Sequence, residues 1–239
     1  MSIERAKAVL DGARRILVFT GAGVSAESGV PTFRGGGGSA VWRGMDATEL
    51  SSARMVGSDL KLVWEWFEYR RGLLASCGPN PAHQTIAEWA DRFSDMTLVT
   101  QNVDGLHDKA GSRDVLELHG NIWRGRCLAC GALERLDDTP LPEVPPSCST
   151  CGGKHRPDVV LFGEFLPEDV FKRATAAAER AEVCIVVGTS ALVFPAAELP
   201  LVAARNGASI IEVNPEPSGI GGPLSIMIEG RAGDVLPRL

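Results

Sequence analysis

Four of the six cysteines fall in two pairs, Cys127-x2-Cys130 and Cys148-x2-Cys151. That spacing presents two sulfurs from each of two tight turns, the ligand set of a tetrahedral four-thiolate zinc site. Four protein ligands leave no open coordination position, so such a metal stabilises the chain and does not catalyse. A redox CxxC is the competing reading, but it accounts for only one pair. Of the other two, Cys184 sits in the apolar run Val183–Val187 and reads as a buried core thiol.

A second constellation begins at Gly21, where GAGVSAESGVPTFRG follows the apolar run Ile16–Phe19. Glycines there let the backbone approach a phosphate, and Ser25 with free N–H groups can donate to it. The G-x-G-x-x-G fingerprint is incomplete, since position 26 is alanine. On the glycines alone, nucleotide binding and a plain strand-to-helix turn both stay open. The cluster TQNVDGLH, residues 100–107, likewise reads by itself as a polar turn after a strand.

These segments need elements to hold them. Ile16–Phe19, Met96–Val99, Val183–Val187 and Ile210–Val213 are short, β-branched runs, each ending in a glycine or polar loop. Such runs suit strands buried on both faces of a parallel sheet. Between them, Asn80 and Pro81 read as the cap and first turn of a helix whose apolar face is Ile86, Trp89, Ala90 and Phe93. Pro167 and Pro195 suit helix starts, and Asn206-Gly207 a helix stop. Alternating strands and helices predict an α/β fold, a Rossmann-like doubly wound parallel sheet, with ligands outside the carboxyl ends of its strands. Two segments interrupt the alternation and are expected to form a smaller domain: 36–78, helical and Trp-rich, and 120–157, the zinc ribbon. The large domain then comprises 1–35, 79–119 and 158–239.

Composition narrows the function. The 239 residues are 44% hydrophobic and 23% charged with a net charge of −6, ordinary for a globular protein and without the basic footprint of a nucleic-acid binder. No apolar run approaches the roughly 18 residues needed to cross a membrane. The start, MSIERAKAVLDGARR, has helical spacing and no continuous hydrophobic block, so a cytoplasmic location is expected.

Taken whole, GAGVSAESGVPTFRG resembles the signature of the sirtuins, the NAD-dependent protein-lysine deacylases. The likeness continues in order through TQNVDGLH, LHG (118–120), the four cysteines, RPDVVLFGE (156–164), GTSALVFP (188–195) and EVNPEPS (212–218), essentially the entire chain. The resemblance implies that NAD and an acyl-lysine peptide meet in a cleft between a Rossmann-like domain and a zinc-bearing one. It implies that the acyl oxygen attacks the nicotinamide ribose, nicotinamide leaves, and water completes the transfer to give free lysine and acyl-ADP-ribose.

Carried over residue by residue, the resemblance makes His119 the general base, its near-neutral imidazole accepting a ribose hydroxyl proton. Asn102 is the other catalytic residue. Asn102 and Asp104 would hold the nicotinamide carboxamide, with Gln101 on the ribose and Val103 beside them. Gly21, Ala22, Gly23, Ser25, Glu27, Thr32, Phe33 and Arg34 form the cofactor loop, Phe33 shielding the ribose and Arg34 pairing with a phosphate. Gly188, Thr189 and Ser190 make the second phosphate turn; Asn214, Pro215, Glu216 and Ala232 take the adenosine end. Val160, Leu161, Phe162, Gly163 and Glu164 would offer the peptide an extended edge and line the acyl-lysine tunnel with Val193. His83, His107 and His155 read as structural.

Within the family, VWEWFEYRR (63–71) places the chain nearest the class III branch, whose members carry a tyrosine and an arginine three residues apart that bind acidic acyl groups. Here Arg70 stands at the arginine and Phe67 at the tyrosine; Tyr69 is two residues too late. Losing one hydrogen bond to a charged acceptor removes about 1.5–3 kcal/mol. Deacetylation or general deacylation is therefore expected, with desuccinylation and demalonylation weakened. A mono-ADP-ribosyltransferase using the same cofactor site and a non-catalytic NAD-sensing module are the alternatives.

Overall fold

The computed structural model describes residues 2–31, 41–190, 192–218, 220 and 225–239. The four anticipated runs are strands β1 (Arg15–Thr20), β2 (Asp95–Thr100), β7 (Val183–Val187) and β8 (Ser209–Asn214), and two further strands, β3 (Leu116–Glu117) and β9 (Ser225–Glu229), join them. They form one sheet in the order β9-β8-β7-β1-β2-β3, parallel throughout. The chain runs outward from β1 through β2 and β3, then returns to β1's other side at β7. Thr20 pairs with Thr100 on one side and Val187 on the other, so these carboxyl ends are level at the point where strand order reverses.

Alternate strand residues feed opposite layers. Val18, Ile185 and Val213 pack with Leu10, Ile86 and Trp89 from helices α1 (Ser2–Asp11) and α3 (Pro81–Arg92). Phe19, Cys184 and Ile210 pack with Ala174, Ala178 and Leu199 from α4 (Glu168–Arg180) and α5 (Glu198–Arg205). Asn80 caps α3 as its spacing predicts, its side chain accepting from Ala82 N–H at 2.9 Å. Ala90 is exposed and outside the apolar face, and α5 begins at Glu198, three residues after Pro195.

A third cluster lies beside the sheet. Strands β4 (Gly120–Cys127), β5 (Leu133–Arg135) and β6 (His155–Val159) form an antiparallel sheet ordered β5-β4-β6, against which α2 (Leu60–Ala75) lays Val63, Trp64, Phe67 and Leu74. Burial of side chains this size stabilises by about 1.5–3 kcal/mol each. Two polar anchors set the helix's position. Trp64 Nε1 donates to His155 O at 2.7 Å. Arg71, fully buried, donates to the carbonyls of Ile122, Leu136 and Asp138.

Candidate active site at the carboxyl ends of the strands

The loops leaving β1 and β7 touch backbone to backbone. Gly21 N–H donates to Val187 O at 3.0 Å, and Gly23 N–H to Gly188 O at 2.7 Å. A Cβ on Gly23 would lie 2.7 Å from Gly188 Cα, and one on Gly188, whose φ is +59°, would lie 2.2 Å from Val24 N. These glycines serve loop-on-loop packing first, and two of their N–H groups are engaged by it. Ser25 also differs from its expected placement. It is fully buried, and its hydroxyl donates to Asp104 Oδ2 at 2.8 Å, facing inward, because a buried carboxylate beside it is the stronger acceptor. Glu27 accepts from Gly233 N–H at 2.7 Å and so caps the short helix that opens with Ala232. Thr32, Phe33 and Arg34 lie outside the described residues.

Beyond β2, the amide turn is wired by direction. Asn102 Nδ2 donates to Gly21 O and to Ser25 Oγ, each at 3.1 Å, so both amide protons are taken and Oδ1 is left as the group offered to a ligand. Asp104 Oδ1 accepts from Leu106 N–H at 2.9 Å. Burial pushes the Asp104 carboxyl upward, opposed by these bonds and by the charges of Lys109 and Arg70. Gln101 Nε2 donates to Thr189 Oγ1 at 2.9 Å, tying the turn to the β7 loop. Asn214 Nδ2 donates to Thr189 O at 2.9 Å and to the buried Glu212 at 2.8 Å, while Pro215 and Glu216 are exposed just past β8. Ala22 and Ser190 are half-buried in the same crevice mouth.

His119 lies between β3 and β4. Its Nδ1 is 2.8 Å from Gln101 O; a carbonyl only accepts, so Nδ1 carries the proton and Nε2 keeps its lone pair. Burial lowers its pKa, partly offset by that hydrogen bond. Beneath the turn are two histidines that the sequence marked only as structural, with rings 4.9 Å apart. His83 Nδ1 accepts from Asn80 N–H at 3.3 Å and Nε2 faces Ser25 Oγ at 3.3 Å; His107 Nε2 faces Thr20 Oγ1 at 3.0 Å. Burial pushes His83 down to about 4 and His107 to about 3, so both are neutral props of the hydroxyls they touch. Only a fold that buries positions 20, 25, 83 and 107 together reveals them, because no short motif contains all four.

The 160–164 segment leaves β6 and passes next to His119, with Val160 N–H donating to His119 O at 2.9 Å. It is less open than an extended edge would be. Phe162 N–H donates to Ser51 O at 2.8 Å and its carbonyl accepts from Ala53 N–H at 3.1 Å. Leu161 is buried, and its N–H donates to Glu164 Oε2 at 2.8 Å, with Glu164 paired to Arg156. Glu164 therefore braces this turn. Phe162, Gly163 and Val193 are exposed, and so are Phe165, Leu192 and Phe194, which the motif reading passed over. Phe165, one residue past Glu164, is 97% exposed, a bare aromatic.

Phe67 is fully buried, and the half-buried Arg70 guanidinium lies 5.5 Å from its ring centroid and 5.7 Å from that of Trp66. Arg70 forms no ion pair among the described residues; desolvation pushes its pKa down to about 10 against the opposing pull of Asp104. Tyr69 stacks on Trp66 at 5.9 Å, away from Phe67.

The four sulfurs of Cys127, Cys130, Cys148 and Cys151 lie within 4.8 Å of one another, with Cys127–Cys151 at 3.5 Å and Cys130–Cys148 at 3.8 Å. A zinc–sulfur tetrahedron has edges of about 3.8 Å, so the donor set and size fit zinc. Each knuckle is closed by a backbone bond, Gly131 N–H to Cys127 O at 3.0 Å and Gly152 N–H to Cys148 O at 2.9 Å.

The profile of the Sir2 family matches residues 21–195. The chain is 49% identical over 231 residues to the NAD-dependent protein deacylase 2 of Pyrobaculum aerophilum, covering 97% of this chain and 92% of that protein. It is 48% identical to the NAD-dependent protein deacylase 1 of Pseudomonas aeruginosa, covering 97% and 95%. A crystal structure of a Sir2 homolog–NAD complex superposes with a TM-score of 0.87 at 42% identity, covering 98% of this chain and 90% of that one. A Sir2 bound to acetylated peptide superposes with a TM-score of 0.85 at 28% identity, covering 100% and 97%.

Proposed function

The chain belongs to the Sir2 family, the sirtuins, and we infer from that membership that it removes acyl groups from protein lysine side chains using NAD, giving nicotinamide, free lysine and O-acyl-ADP-ribose. The observation that carries the reading is His119. Its Nε2 lone pair is freed by the Nδ1 bond to Gln101 O, at the strand end that also carries Asn102. A binding module has no use for a poised base, and a transferase acting on other side chains has no need of the exposed apolar mouth around Phe162 and Phe165.

NAD, when bound, supplies a glycosidic bond whose cleavage makes a ribose carbon open to the acyl oxygen. The crevice fits it: the loops leaving β1 and β7 meet where strand order reverses, and Asn102 Oδ1 stands there with its amide protons already engaged elsewhere. In our reading Asn102 Oδ1 and the Asp104 backbone hold the carboxamide end, Thr189 and Ser190 the phosphates, and Asn214, Glu216 and Ala232 the adenosine end. His119 Nε2 takes a proton from a ribose hydroxyl and hands it on as the acyl group transfers. Cys127, Cys130, Cys148 and Cys151 would hold zinc as four thiolates, which would fix the β4–β5 turn and leave the reaction to the side chains named.

We assign 1–35, 79–119 and 158–239 to the cofactor domain and 36–78 with 120–157 to the small one. Acyl-lysine peptides are the substrates, entering past Phe162, Gly163 and Val193. With Phe67 in place of a phenol, Arg70 alone faces an acidic acyl group, so acetyl- and butyryl-lysine turn over at least as well as succinyl- and malonyl-lysine. A peptide panel with NAD tests this. A tenfold preference for succinyl-lysine would reverse the specificity, and no NAD-dependent turnover of any acyl peptide would remove the function itself.

A further inference from the structure

Strand β4 begins one residue after His119 and ends on the zinc ligand Cys127, and between them it touches the amide turn twice. Ile122 N–H donates to Val103 O at 2.9 Å. Trp123 Nε1–H donates to Asp104 O at 2.7 Å, and the buried indole packs directly against the next residue: a Cβ on Gly105, whose φ is +73°, would lie 2.9 Å from Trp123 Cδ1. Two cations hold the indole in turn, the Arg71 guanidinium at 4.9 Å and the Lys109 ammonium at 5.1 Å from the ring. Arg71 also donates to Ile122 O at 3.1 Å and to the carbonyls of Leu136 and Asp138 just past β5.

Resting on the NAD-dependent activity proposed above, we propose that Trp123 is a positioning residue: its indole N–H and face set the height and direction of the Asp104–Gly105 turn, and so of the Asn102–Ser25–Asp104 bonding chain at the cofactor. The argument is geometric. The Asp104 carbonyl has a donor 2.7 Å away on a rigid bicyclic ring that two cations also contact, so its position follows the strand that carries the ring. Gly105 is what allows the ring so close, since any side chain there would meet Cδ1. Through Trp123, the small antiparallel sheet reaches the end of the site proposed to meet NAD.

Two replacements test this in the zinc-loaded full chain. Trp123→Phe keeps an aromatic ring and removes the donor; benzothienylalanine at position 123 keeps the bicyclic shape and also removes it, which makes the result independent of packing losses in the phenylalanine variant. We expect KM for NAD, and Kd for NAD by calorimetry, to rise about fivefold, the equivalent of one ordinary hydrogen bond. KM for the acyl peptide should stay within twofold and zinc at one per chain. Unchanged NAD affinity in the benzothienylalanine protein would overturn the proposal, and so would a parallel loss of NAD affinity, peptide affinity and zinc, which is the behaviour of a scaffold residue. Calorimetry reads NAD binding without turnover, so failure of the proposed activity in the wild-type chain is told apart from failure of this role.

Discussion

Arg71 Nε lies 2.7 Å from Glu68 Oε1 one turn back on α2, with the Arg71 side chain wholly out of water. Three backbone carbonyls take three of the four protons on its terminal nitrogens, so most of the charge is compensated within the fold. Removing one partner of such a pair strands the other. Arg71→Ala should destabilise the protein by about 3–5 kcal/mol in a urea melt. Arg71→Met with Glu68→Gln should recover a large part of that, since the stranded carboxylate is gone; an equal loss in both variants would count against the pair.

At the base, His119→Ala should lower kcat by about 10²–10⁴ while the thermal midpoint and zinc content stay at wild-type values. Burial lowers the His119 pKa, and the free-base form is the one that acts. The acid limb of kcat/KM should therefore fall below the ordinary imidazole value of 6.5, and a limb above 6.5 would contradict the assignment.

His83 and His107 are depressed to about 4 and about 3 from an ordinary 6.5. The unfolded chain binds protons at these sites from pH 6.5 downward while the native chain does not. Stability is thus full above 6.5 and is lost progressively as pH falls through the window from 6.5 to about 3. His83→Gln should flatten that slope in melts at a series of pH values; an unaltered slope would remove His83 from the account.

Zinc withdrawal should be read in the small module first. Cys148→Ser, or chelation of the wild type, should abolish the bound metal and unfold β4 and β5, a coupling on the order of 10 kcal/mol for structural zinc sites. Hydrogen exchange is the measurement, with fast exchange at Cys127–Arg135 and slow exchange retained across β1 and β7. Equal protection of both regions after metal loss would show the thiolates to be dispensable.

Much of this was legible beforehand for a physical reason. Buried parallel strands leave continuous apolar runs, as at Val183–Val187, and thiolate knuckles announce themselves by spacing. Strand β9 escaped because SIMIE is a short run, apolar only over its three central residues, unlike the longer continuous apolar runs of β1 and β7. The bonding directions at Ser25, Glu27 and Glu164 could not be read because a motif specifies a residue type but not which neighbour its oxygen meets. Likewise, nothing local to position 123 tells that its indole ends on residue 104.

The mutual contact of Gly21, Gly23 and Gly188 has a consequence for anyone wishing to redesign this enzyme's cofactor preference. Three positions at the heart of the crevice share one small volume and are closed to every side chain, whichever dinucleotide is sought. Libraries should leave them untouched and vary Ser190 and Glu216 at the rim, where new chemistry can be added without prising the two loops apart.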